Sequence, residues 1–140
     1  MAIVTREVRD APYWPFRILA VAERDGDRLN CPTLDFLRDQ GHSNDLVRLT
    51  SILESTAKHG PPRSETKFKC VAGTSGLYEF KANQLRLFCF WGNGALIICT
   101  NGTVKKRDRT DSDVIEIALN WKRTYLAAKR TNSLRHETGH

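Results

Sequence analysis

Leu85-Arg86-Leu87-Phe88-Cys89-Phe90-Trp91 is the run that decides the fold. Leu85, Leu87, Cys89 and Trp91 alternate with Arg86, Phe88 and Phe90, so an extended strand here is largely apolar on both faces. Such a strand belongs in the middle of a sheet with cover on each side. Arg86 is the exception: a charge in a buried run has to be paired.

Three shorter β-like runs flank it, Lys67 to Val71, Leu77 to Lys81 and Ala95 to Thr100. The breaks are Gly73 to Gly76, Ala82 to Gln84 and Gly92-Asn93-Gly94, the last a strong hairpin signal. Runs this closely spaced predict a four-stranded antiparallel meander.

Upstream, Pro32 suits the first turn of a short helix through about Gln40, closed by Gly41. Ser43, Asn44 and Asp45 are all capable caps for a second helix. Its stripe is Leu46, Leu49, Leu53 and Ala57, and His59-Gly60-Pro61-Pro62 ends it. Together the two predict an αα-hairpin. Phe16 to Val21 is a candidate N-terminal strand, followed by a turn at Asp25-Gly26-Asp27. A third helix is expected from about Asp111 to Ala128, with Asp113 and Glu116 at capping-box spacing. The expected fold is therefore α+β in one domain over 1–140. It has an N-terminal strand and αα-hairpin on the meander, a C-terminal helix, an irregular arm over 1–15 and a flexible tail over 130–140.

Charge is segregated along the chain. Residues 1–62 carry eight Lys/Arg against nine Asp/Glu, and residues 63–140 carry fourteen against seven. The net +6 thus belongs to the second half, the footprint expected of a surface that meets a polyanion such as RNA. The bland alternative is a solvated basic face. No run is long and apolar enough for a membrane span, and the charged N-terminus does not read as a secretory signal, so a cytoplasmic protein with no membrane partner is expected. Cys31, Cys70, Cys89 and Cys99 form no Cys-x-x-Cys pair, and no His sits at ligand spacing with a Cys. No metal or other cofactor is expected.

Phosphate-cradling loops and recognisable nucleophile contexts are missing. What remains is cationic. Lys81 ends one strand, Arg86 lies on the next across a short turn, and Lys106 and Arg107 follow the last strand. A meander brings Lys81 and Arg86 close, and converging cations make sense around an anion. The competing readings are a structural ion pair of Arg86 with Glu79 or Asp108, and a solvated turn at Lys105 to Arg109. Tyr78, Phe80, Phe88, Phe90 and Trp91 read as core rather than as a base-stacking platform.

In order and spacing, Gly76-Leu77-Tyr78-Glu79-Phe80-Lys81, Leu85-Arg86-Leu87-Phe88-Cys89-Phe90 and Val104-Lys105-Lys106-Arg107-Asp108-Arg109-Thr110 resemble the RelE superfamily. The nearest likeness is to its HigB-like, phage-derived host-killing branch, over about residues 43–129. The resemblance implies a RelE-like fold and the toxin of a type II toxin–antitoxin pair. It implies an mRNA endoribonuclease acting on the translating ribosome by 2′-hydroxyl attack without a metal, and a HigA-like helix-turn-helix antitoxin as partner. Carried over by position, Lys81, Arg86 and Arg107 would be catalytic. Lys67, Lys69, Lys105, Lys106 and Arg109 would contact RNA. The early tyrosine of RelE's last helix has no counterpart in Ser112-Asp113-Val114. The alternative is a non-catalytic RelE/ParE-fold protein that inhibits a host protein such as gyrase or simply binds RNA.

Overall fold

The computed structural model describes residues 1–9, 14–106 and 112–138. Leu85–Trp91 is a strand buried from Leu85 to Phe90, as its two apolar faces require. In chain order the strands are β1 (Ala2–Glu7), β2 (Arg17–Asp25), β3 (Arg28–Asn30), β4 (Phe68–Cys70), β5 (Tyr78–Ala82), β6 (Leu85–Trp91), β7 (Leu96–Val104) and β8 (Arg135–Glu137). The helices are α1 (Pro32–Asp39), α2 (Asn44–His59) and α3 (Ser112–Arg130).

The expected four-stranded meander is corrected: the described residues form one mixed sheet of eight strands in the order β4-β5-β6-β7-β2-β1-β8, with β3 beside β2. β4 to β7 pair antiparallel in sequence, but β7 then pairs in parallel with β2, from Arg17 opposite Leu96 to Ala20 opposite Cys99. The reason lies in β2 itself. Ile18 to Ala22 are all buried, so this strand needs neighbours and cover on both sides.

Two end segments are also corrected. The arm expected to be irregular contains β1, antiparallel to β2 from Ala2 opposite Arg24 to Glu7 opposite Leu19. The tail expected to be flexible contains β8, parallel to β1. Side chains hold β8 in place. Glu137 accepts from Arg24 at 2.7 and 3.0 Å and from Arg6 at 3.5 Å. His136 Nδ1 lies 2.9 Å from Thr5 Oγ1, and its Nε2 is 3.6 Å from Glu7, which also pairs with Arg17.

Helices cover both faces. The Ser43 hydroxyl caps α2, accepting from Leu46 N–H at 3.2 Å. Phe36 of α1 and Leu49, Leu53 and Ala57 of α2 pack on Ile18, Phe80, Leu85, Leu87, Cys89, Ile97 and Cys99. The opposite face carries α3, with Ala118 on Val71, Leu77 and Phe88, and Tyr125 on Leu19, Val21, Phe90 and Ile98. Asp113, expected to start α3 with Glu116 at capping-box spacing, lies inside its first turn. Cys89 and Cys99 face each other across β6 and β7 as buried thiols, and burial pushes both up in pKa.

One irregularity positions the site. Cys89 pairs with Cys99, yet Leu87 pairs with Gly102, so β7 carries one extra residue there, a β-bulge. Thr100 donates to Asn101 Oδ1 at 2.8 Å, and Asn101 Nδ2 donates to the Val114 carbonyl of α3 at 3.1 Å. Past the bulge Gly102 lies under the Phe36 ring, where a Cβ would fall well inside contact distance. The end of β7 is thereby drawn beside the β5–β6 turn, and Lys105 N–H donates to the Gln84 carbonyl at 2.6 Å.

Candidate functional site

The β5–β6 hairpin turns at Asn83, which adopts a positive φ of 52°, a conformation that asparagine tolerates. The resulting register sets Lys81 directly opposite Arg86 and Glu79 opposite Phe88. On the other side of β5, Lys69 of β4 is opposite Glu79. Alternation then sends Lys69, Glu79, Lys81 and Arg86 to the same face of the sheet. The end of β7 brings Lys105 alongside.

Lys81 is half-buried at the centre of this corner. Its Nζ donates to the Glu65 carbonyl at 3.3 Å, and its backbone N–H donates to the Lys67 carbonyl at 2.8 Å. Burial first, then the charges of Lys69 and Arg86 and more weakly Lys105, hold its pKa below the ordinary lysine value of 10.5. Glu79 pulls in the opposite direction. Lys81 therefore gives up its proton more readily than a surface lysine, the property a general base needs.

Arg86 sits lower than the sequence suggests. The residue is 7% exposed, and its Nη1 donates to the carbonyls of Asn83 at 2.6 Å and Leu85 at 2.9 Å. Its Nε is 3.2 Å from the buried Glu79 carboxylate. That approach meets ion-pair distance but not hydrogen-bond geometry, so the contact is Coulombic. Of the two structural partners considered for Arg86, Glu79 is present, and Asp108 lies outside the described residues.

The structure thus brings together Lys69, Lys81, Arg86 and Lys105. Lys67 and Lys106 are exposed nearby in the chain, on the approach to β4 and just past Lys105. Arg107 and Arg109 lie outside the described residues. Of the aromatic residues, Phe80, Phe88 and Phe90 are core, Tyr78 stacks on Phe68 at 5.3 Å, and Trp91 is 39% exposed. Sequence reasoning missed the burial of Glu79, the bulge at Asn101 and the His136 cluster. The alternation of β5 carried a signal for Glu79, since it sets Glu79 and Lys81 on one face. Nothing local in the sequence marks the other two.

The model of the family described as phage derived protein Gp49-like (DUF891) matches residues 35–123. The match runs from α1 into α3 and contains the whole cationic corner. No curated protein matches the chain. No helix among the described residues is long and apolar enough to cross a membrane. The chain belongs to the Gp49-like phage-derived family, toxin-like proteins related to RelE/HigB-type toxin–antitoxin systems, and such a family implies a cognate antitoxin.

Proposed function

We propose that this Gp49-like protein is the toxin of a type II pair and cleaves mRNA on the ribosome in the cytoplasm, held in check by a HigA-like helix-turn-helix antitoxin. The observation that carries this reading is the convergence of Lys69, Lys81 and Lys105 around one corner, with Arg86 beneath it. Like charges gathered this way repel one another, and a phosphodiester neutralises them.

The chemistry needs no external nucleophile or metal. Neutral Lys81 takes the proton from the RNA 2′-hydroxyl, whose oxygen forms a bond to the adjacent phosphorus. The bond from phosphorus to the 5′ oxygen breaks, and that oxygen receives a proton from a neighbouring cationic donor or from water. A 2′,3′-cyclic phosphate and a 5′-hydroxyl result. Lys69 and Lys105 sit where they offset the extra negative charge of the pentavalent state, and Arg107 is assigned the same task from its place in the sequence.

Inducing the chain in a bacterium and mapping mRNA 5′ ends tests the reading. Wild type should create new 5′ ends, and Lys81→Ala should reduce them by at least about 100-fold, the usual cost of losing a general base. Growth arrest without new ends would rule out the nuclease. It would favour the second reading, a non-catalytic binder of RNA or of a host protein. The engagement of Arg86 by Glu79 and two carbonyls supports that second reading, because it leaves one cation fewer to meet substrate.

A further inference from the structure

Arg86 is expected to grip phosphate through its planar fork, but the fold engages two of the three guanidinium nitrogens. Nη1 serves two backbone carbonyls, Nε faces a buried carboxylate, and the whole residue is 7% exposed. Reaching a substrate through Nη1 or Nε would require breaking these contacts, and swinging Arg86 out would leave Glu79 as a buried, unpaired charge, which is strongly unfavourable. Yet Arg86 stands directly opposite Lys81, and Glu79 precedes Lys81 by two residues on the same face of the same strand. We propose that Glu79 and Arg86 are a buried positioning couple that acts on the reaction through Lys81, without touching the substrate.

The couple has two effects. Arg86 ties the carbonyls of Asn83 and Leu85 together, which braces the hairpin turn whose register sets Lys81 opposite Arg86. It also places a positive and a negative charge at fixed positions beside Lys81. Among the described residues, the charged groups that act on Lys81 are Lys69 from β4, Glu79 from its own strand, Arg86 from β6 and Lys105 past β7. Arg86 favours neutral Lys81 more strongly than Glu79 opposes it. Removing the carboxylate alone and removing both members therefore shift Lys81 in opposite directions.

This inference rests on the proposed RNA site, but its test does not. The full chain is labelled on its lysine side chains, and Lys81 is titrated by NMR in wild type, Glu79→Gln and the double variant Glu79→Gln/Arg86→Gln. Glu79→Gln is isosteric, and in the double variant neither member of the couple is left as a buried unpaired charge. Lys81 should titrate at lower pH in Glu79→Gln and at higher pH in the double variant than in wild type. Identical titration in all three, or a double variant shifted downward, overturns the proposal.

A second arm uses a single-stranded RNA oligonucleotide and reads affinity against salt. Lys81→Ala should make the log–log slope shallower by about 0.7, the loss of one phosphate contact, while the double variant keeps the wild-type slope. If the double variant loses about 0.7 and adding Lys81→Ala to it loses about a further 0.7, Arg86 touches phosphate itself, and the proposal fails. If wild type shows no salt-dependent binding, the RNA reading fails, and the titration alone decides the couple.

Discussion

Replacing Glu79 with leucine leaves the Arg86 guanidinium buried without its carboxylate. Loss of one partner from a buried pair costs about 3–5 kcal/mol, whereas replacing both with apolar groups can come close to neutral. Urea unfolding should therefore show Glu79→Leu destabilised by that amount and Glu79→Leu/Arg86→Met recovering most of it. Lys81 behaves in the opposite way. Its pKa is lowered in the folded state, so the unfolded chain holds the proton more tightly. Keeping Lys81 charged costs stability below its folded pKa, and the cost fades as pH rises to the ordinary value of 10.5. Lys81→Met should thus unfold at a higher temperature than wild type at pH 7, and the gap should close above pH 10.5. Gain in stability with loss of RNA binding marks a residue kept for function. At this scale the juxtaposition of Lys81 and Arg86 was legible, because a two-residue hairpin turn fixes its register locally. That Glu79 meets Arg86 was one of several open choices, and burial at the site favours it.

The elements that sequence periodicity marks are those that bury a stripe or a face of their own. α1, α2 and β6 fall close to the expected residues for that reason. β1 and β8 escaped notice because little in Ala2–Glu7 or Arg135–Glu137 declares a strand. Their pairing joins Thr5 to His136 across almost the whole chain, beyond the reach of local pattern. β8 depends on side-chain contacts, and this makes it sensitive to acid. The bond from Arg24, with Arg6 assisting, holds the Glu137 carboxyl below its usual 4.5. Its contribution is complete above pH 4.5 and is lost as pH falls through the lowered folded value. Amide exchange across Arg135–Glu137 should accelerate below pH 4 while β6 stays protected, and Glu137→Gln should show the fast exchange already at pH 7. The bulge on β7 offers a steric test. Gly102→Ala places a methyl group against the Phe36 ring and should cost about 1–3 kcal/mol by thermal unfolding, with Phe36→Leu restoring part of it.

Over the whole molecule, two features coincide. The positive excess of residues 63–140 was legible in composition, and the fold concentrates part of it at the corner where β4, β5, β6 and the end of β7 meet. The Gp49-like match over residues 35–123 contains that corner and leaves β1, β2, β3 and β8 outside. Those outer strands supply the other flank of the sheet: β2 continues it through its parallel pairing with β7, and β1 and β8 close its far edge. The basic corner thus sits on a sheet wider than the matched region.

The central claim is that this corner receives RNA phosphates, and the affinity of the purified chain for single-stranded RNA as a function of salt tests it most directly. Contact with about four phosphates predicts a log–log slope near −3, relaxing to about −1.5 in Lys69→Ala/Lys81→Ala. A flat response in wild type, or a slope that the double variant leaves unchanged, would contradict the account.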